Sequence, residues 1–156
     1  MIKNITIEKK ILFISNRSNK SQVGGRKNLS NLNEKVLKSI FRENFFTFKL
    51  EKKKIITLKN IVLALTGNID GVDNLKIQKI KKIIKKKQIT HVFIDGSNLG
   101  KISRKISNNS IKIITFCHNV ETNFFLKKLK TFFNFRNFYI LLINFLTEFQ
   151  SVYFSN

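Results

Sequence analysis

Three short segments gather the groups able to do chemistry. His118-Asn119-Val120-Glu121 brings an imidazole, an amide and a carboxylate into four consecutive residues, a set suited to hydrogen-bonding a polar ligand and handling a proton. Asp95-Gly96-Ser97-Asn98 joins a carboxylate to a permissive glycine and a hydroxyl. Ser21 to Lys27 holds the pair Gly24 and Gly25, which lets backbone approach a ligand closely, followed by Arg26, which can fork to an anion. Each segment also has a plainer reading. Ser97 suits a helix cap, as do His118 and Asn119, and a Gly-Gly pair serves as a flexible turn.

Other chemistries find no support in the pattern. Neither the dinucleotide fingerprint Gly-x-Gly-x-x-Gly nor the phosphate loop Gly-x-x-x-x-Gly-Lys-Ser/Thr occurs. The chain has one cysteine, and its two histidines, His91 and His118, lie far apart, so no metal ligand set is expected. His91 opens a strand and reads as structural. Cys117 reads as a small buried hydrophobe.

The elements that must position these groups alternate in type. Ile11 to Ser15 and His91 to Asp95 are short apolar runs of the kind found in doubly covered parallel strands, and Phe45 to Leu50 and Ile111 to Cys117 complete a set of four. Between them, Leu29, Leu32, Val36, Ile40 and Phe41 recur at helical spacing, with Asn31 and Glu34 as a capping-box-like start. Ile55 to Leu65 carries a second helical stripe, and Val72 to Lys87 sets apolar residues opposite lysines. Leu99, Ile102 and Ile106 mark a further helix, and another begins near Thr122. Strands alternating with helices predict an α/β, doubly wound, mostly parallel sheet. Ligands of such sheets lie beyond the carboxyl ends of the strands, where all three polar loops fall. The domain is expected to span 1–134, and the Phe-rich tail 135–156 is left unassigned.

The 156 residues suit one domain, and a formal net charge of +21 invites a nucleic-acid or anionic-membrane partner. Yet Lys, Asn, Ile and Phe abound while Pro and Trp are absent, which is the signature of A/T-rich codons. Arginine, favoured for base and phosphate forks, stands only at 17, 26, 42, 104 and 136. A solvated basic surface is therefore expected over a nucleic-acid face. No signal-peptide h-region or membrane-length apolar run is found, and a cytoplasmic protein is expected.

The order Val-Gly-Gly-Arg after the first strand, then Val-Phe-Ile-Asp-Gly-Ser-Asn-Leu-Gly, then Ile-Thr-Phe-Cys-His-Asn-Val-Glu resembles the N-terminal domain of family 4-like, GT-B glycosyltransferases of bacterial surface-polysaccharide synthesis. The resemblance runs from about Ile11 to about Phe125. It implies a Rossmann-like acceptor-side half whose partner domain binds a nucleotide sugar, with retaining transfer to a saccharide or lipid-linked acceptor and no metal or other cofactor. It further implies that Gly24 and Gly25 line the cleft, that His118 contacts the transferring sugar as the catalytic group, and that Asn119 and Glu121 shape the pocket. Arg26, Asp95, Gly96 and Ser97 complete the expected substrate-binding set. Family members continue into a donor domain that this chain lacks, so a separate donor-domain chain is an expected partner, with peripheral contact to the inner face of an anionic membrane. The competing readings are a basic nucleic-acid-binding module and an inactive fragment.

Overall fold

A computed structural model describes residues 8–16, 25–51 and 58–155, apart from the side chains of Gly25 to Lys27 and Leu58 to Asn60. Four strands, β1 (Ile11–Ser15), β2 (Phe45–Lys49), β3 (His91–Asp95) and β4 (Lys112–Phe116), form an all-parallel sheet in the order β2-β1-β3-β4. The strand assignments made from apolar runs hold to within a residue at each end.

Alternation along the strands divides the sheet into two faces. Leu12, Ile14, Val92, Ile94 and Ile113 point to one face and form a single core with Ile77 and Ile80 of α3 (Asn74–Lys87) and Ile102 and Ile106 of α4 (Gly100–Ile106). Phe13, Phe93 and Phe116 point to the other, where α1 (Gly25–Phe41) crosses from β1 to β2. The rings stack in a row, with centroids 5.6 Å apart for Phe13 and Phe93 and 6.1 Å for Phe93 and Phe116. Helices on both faces of a parallel sheet are the doubly wound α/β arrangement.

Several local expectations are corrected. α1 runs from Gly25 to Phe41, so Asn31 lies within the helix rather than at its start. The helix also turns its apolar stripe outward. Leu32 and Ile40 are 55% and 64% exposed while Ser30 is buried, because the inward line of the helix has a carboxylate to satisfy. α2 (Leu58–Leu65) is the second helical stripe, whose first residues fall outside the described ones. Cys117 is exposed rather than buried, since it follows the last paired residue of edge strand β4.

The Phe-rich tail is a helix, α6 (Phe135–Tyr153), started by Asn134, whose side chain accepts from the backbone amides of Arg136 and Asn137. It packs against α4 and against α5 (Glu121–Thr131). Close approach depends on Gly100, where an added Cβ would meet the Thr147 carbonyl oxygen at 1.9 Å.

Candidate functional site

The strand order reverses between β1 and β3, since β2 lies to one side of this pair and β4 to the other. Crevices at such switch points, beyond the carboxyl ends of the strands, are where open α/β sheets take ligands. Ser15 and Asp95 are register partners there, each the last residue of its strand.

Asp95 is buried and approached by three side chains from two segments. Ser30 of α1 donates its hydroxyl to Oδ2, and Asn33 Nδ2 lies 3.5 Å from Oδ1, a long contact. His118, two residues past β4, brings Nε2 to 2.9 Å from Oδ1, and the two side chains are only 5% and 3% exposed. An ionised carboxylate only accepts, so Nε2 carries the proton and Nδ1 of the neutral ring is left as an acceptor. Phe116 stands edge-on to the imidazole at 5.1 Å and limits its rotation.

Among the described residues, Nδ1 of His118 is buried without a hydrogen-bond partner, as are the Ser15 hydroxyl and the Asn16 side-chain nitrogen at the end of β1. A buried polar atom without a partner costs about 1–3 kcal/mol. Finding several at one strand edge marks that edge as a place where a polar ligand or water is accommodated.

The remaining sequence-predicted residues divide. Gly96 leaves β3 with φ at 147°, a conformation that favours glycine. This lets the chain turn straight from Asp95 into the short 3-10 turn Ser97–Leu99. Ser97 caps neither this turn nor α4. Its hydroxyl instead donates to Glu148 of α6 at 3.0 Å, with the Asn119 carbonyl 3.3 Å away. Asn98 donates its side-chain amide to Asp70. Asn119 and Val120 are exposed, and Glu121 opens α5. Neither His118 nor Asn119 caps that helix. Glu148 does so, accepting from the Glu121 and Thr122 amides at 2.8 and 3.2 Å and from the Thr122 hydroxyl at 2.5 Å. Gly25 is the first residue of α1, and the side chain of Arg26 and the whole of Gly24 fall outside the described residues.

Between the two loops lies a cavity of about 10 Å³ for water-sized spheres, room for roughly one water. It is lined by Gly96 to Asn98, His118, Asn119 and Glu121. Beside it an open depression of about 560 Å³ runs along the start of α5 from Asn119 to Lys127. A larger depression, about 610 Å³, lies at the opposite end of the sheet between the C-termini of α3 and α4. Its lining offers amines, amides and hydroxyls but no carboxylate or imidazole.

Three residues at the site carry no sequence signal of their own: Ser30, Asn33 and Glu148. Ser30 and Asn33 fall off the apolar stripe of α1, on its inward side, and Glu148 is the single acidic residue of 135–156. A lone carboxylate in an otherwise apolar helix is the nearest thing to a mark. Among the described residues no cluster of His, Cys, Asp and Glu could hold a metal ion, and no helix is long and apolar enough to cross a membrane. No family model matches the chain, and neither a curated protein nor a solved structure shows significant similarity to it.

Proposed function

We propose that this chain is the acceptor-side half of a retaining, sugar-transferring enzyme and that His118 is its sugar-facing group. The single observation that carries the reading is the Asp95–His118 pair at the switch point, with the second imidazole nitrogen buried and unpartnered. Held by Asp95 and by the edge of Phe116, the ring is pre-oriented, and Nδ1 can accept a hydrogen bond from a sugar hydroxyl. With the imidazole neutral the pair carries a net negative charge, which favours positive charge developing at an anomeric carbon as the bond to the leaving nucleotide breaks. The Gly24–Gly25 segment follows β1 in sequence, and on this reading it serves the donor phosphate.

The test is release of nucleoside diphosphate from nucleotide sugars, by the chain alone and mixed with a donor-domain chain, alongside saccharide titrations monitored at the His118 ring nitrogens by NMR. Release, or a ring perturbation abolished in His118→Ala, supports the reading. A folded sample silent in every combination overturns it. Tight duplex binding with a steep salt dependence would favour the nucleic-acid module instead.

A further inference from the structure

We infer that the outward face of α6 is a docking surface for an anionic lipid bilayer, a conclusion independent of the chemistry at His118. An ordinary surface helix buries its apolar stripe. In α6 the relation is reversed. Asn137, Asn144, Thr147, Glu148 and Ser151 are buried against the rest of the chain, whereas Phe138, Phe145, Phe149 and Tyr153 are 50%, 53%, 58% and 69% exposed. At about 100° per residue these aromatics fall in one stripe opposite the buried polar line. Phe145, Phe149 and Tyr153 stack in sequence, with centroids 6.5 and 5.7 Å apart.

The inward side is fixed by its own bonds. Ser151 donates to the Ser97 carbonyl at 2.5 Å and Glu148 caps α5, so the helix cannot roll over to hide its rings. Charge selects the occupant. The stripe itself bears no charge, but α5, packed against α6, carries exposed Lys127, Lys128 and Lys130. A second copy of a chain with net charge +21 would bring like charges together, which works against self-association. An anionic bilayer offers the complement to both features: headgroups for the cations and an acyl boundary for a helix lying in the interface plane.

The experiment is co-sedimentation of the full chain with vesicles of phosphatidylcholine alone or mixed with phosphatidylglycerol. Binding is expected to the mixed vesicles, to weaken with salt, and to fall at least about tenfold in the Phe145→Ser/Phe149→Ser variant. Both positions are more than half exposed, so an unchanged circular dichroism spectrum is expected to show the fold intact. As a second readout, Phe149→Trp fluorescence should shift to the blue on adding mixed vesicles. Undiminished binding of the double-serine variant, or no blue shift, overturns the inference in favour of generic lysine attraction. A wild-type dimer that the serine variant disperses, without vesicle binding, overturns it in favour of a second copy.

Discussion

Glu148 and Ser97, 51 residues apart in sequence, meet in a buried hydrogen bond of 3.0 Å. The same carboxylate oxygen receives the Glu121 amide at 2.8 Å, so one side chain ties the turn after β3 to the start of α5. The segment carrying His118 and Asn119 runs between these two anchors. Replacing Glu148 with Ala would strand two backbone amides and two hydroxyls, and a loss of about 2–4 kcal/mol is expected. Urea unfolding of Glu148→Ala and Glu148→Gln checks this, and the Gln variant, which keeps one acceptor, should lose less.

Gly100 sets how closely α6 approaches α4. A Cβ there would stand 1.9 Å from a backbone oxygen, and backbone cannot give way as a side-chain tip can. Gly100→Ala should therefore lose about 1–3 kcal/mol or more and lower the melting temperature. Gly96→Ala should also destabilise, by about 1–3 kcal/mol, but through dihedral strain at φ 147°. Combined, the two should couple rather than add, because the Ser97–Leu99 turn between them is bonded to the same helix, α6.

Asp95 fixes the tautomer of His118. In the wild type the neutral ring should carry its proton on Nε2, read from long-range nitrogen–proton correlations. Asp95→Asn replaces an acceptor-only group with one that can also donate, so the tautomers should mix. Unchanged tautomer populations in Asp95→Asn would show that something other than the carboxylate orients the ring.

His91 lies at the opposite, amino end of the sheet, and its pKa is lowered from the ordinary 6.5, first by burial and then by the charges of Lys9 and Lys112. The folded state thus binds a proton less readily than the unfolded state. Above about pH 6.5 the ring is neutral in both and no penalty arises; as pH falls below it toward the folded value, protonation of the unfolded chain draws stability away. Urea midpoints from about pH 8 to about pH 5.5 should fall on acidification, and His91→Asn should lose that component of the slope.

The sheet was legible because parallel strands buried on both faces must be nearly continuous apolar runs, as Ile11 to Ile14 and Val92 to Ile94 are. The polar loops were legible because topology sends the ends of parallel strands to one edge. Helix orientation was not. Periodicity in α1 identifies a helix, but it assigns the apolar stripe to the core by default, and Asp95 claimed the inward side; the Phe-rich tail gave no assignment, because in α6 polar partners, Ser97 and the α5 terminus, take the inward side. Capping was misassigned for a related reason. His118 and Asn119 are the local candidates for α5, and a carboxylate from a distant helix displaced them, while Ser97 donates its hydroxyl to that same carboxylate instead of capping; sequence proximity reveals neither.

The parallel pairing of β1 with β3 also governs how the chain reaches this fold. Lys10 and Thr90, joined at 3.0 Å just before the paired strands, are 80 residues apart. The central ladder thus closes one of the longest loops in the molecule, and contacts of such separation slow folding because chain entropy is lost before they stabilise anything. During synthesis β1 must wait for about 80 further residues to emerge before its second neighbour arrives. Until then its apolar run lacks one of its two strand neighbours, with only β2, α1 and α3 for cover, which makes the half-made chain the form most in need of a chaperone.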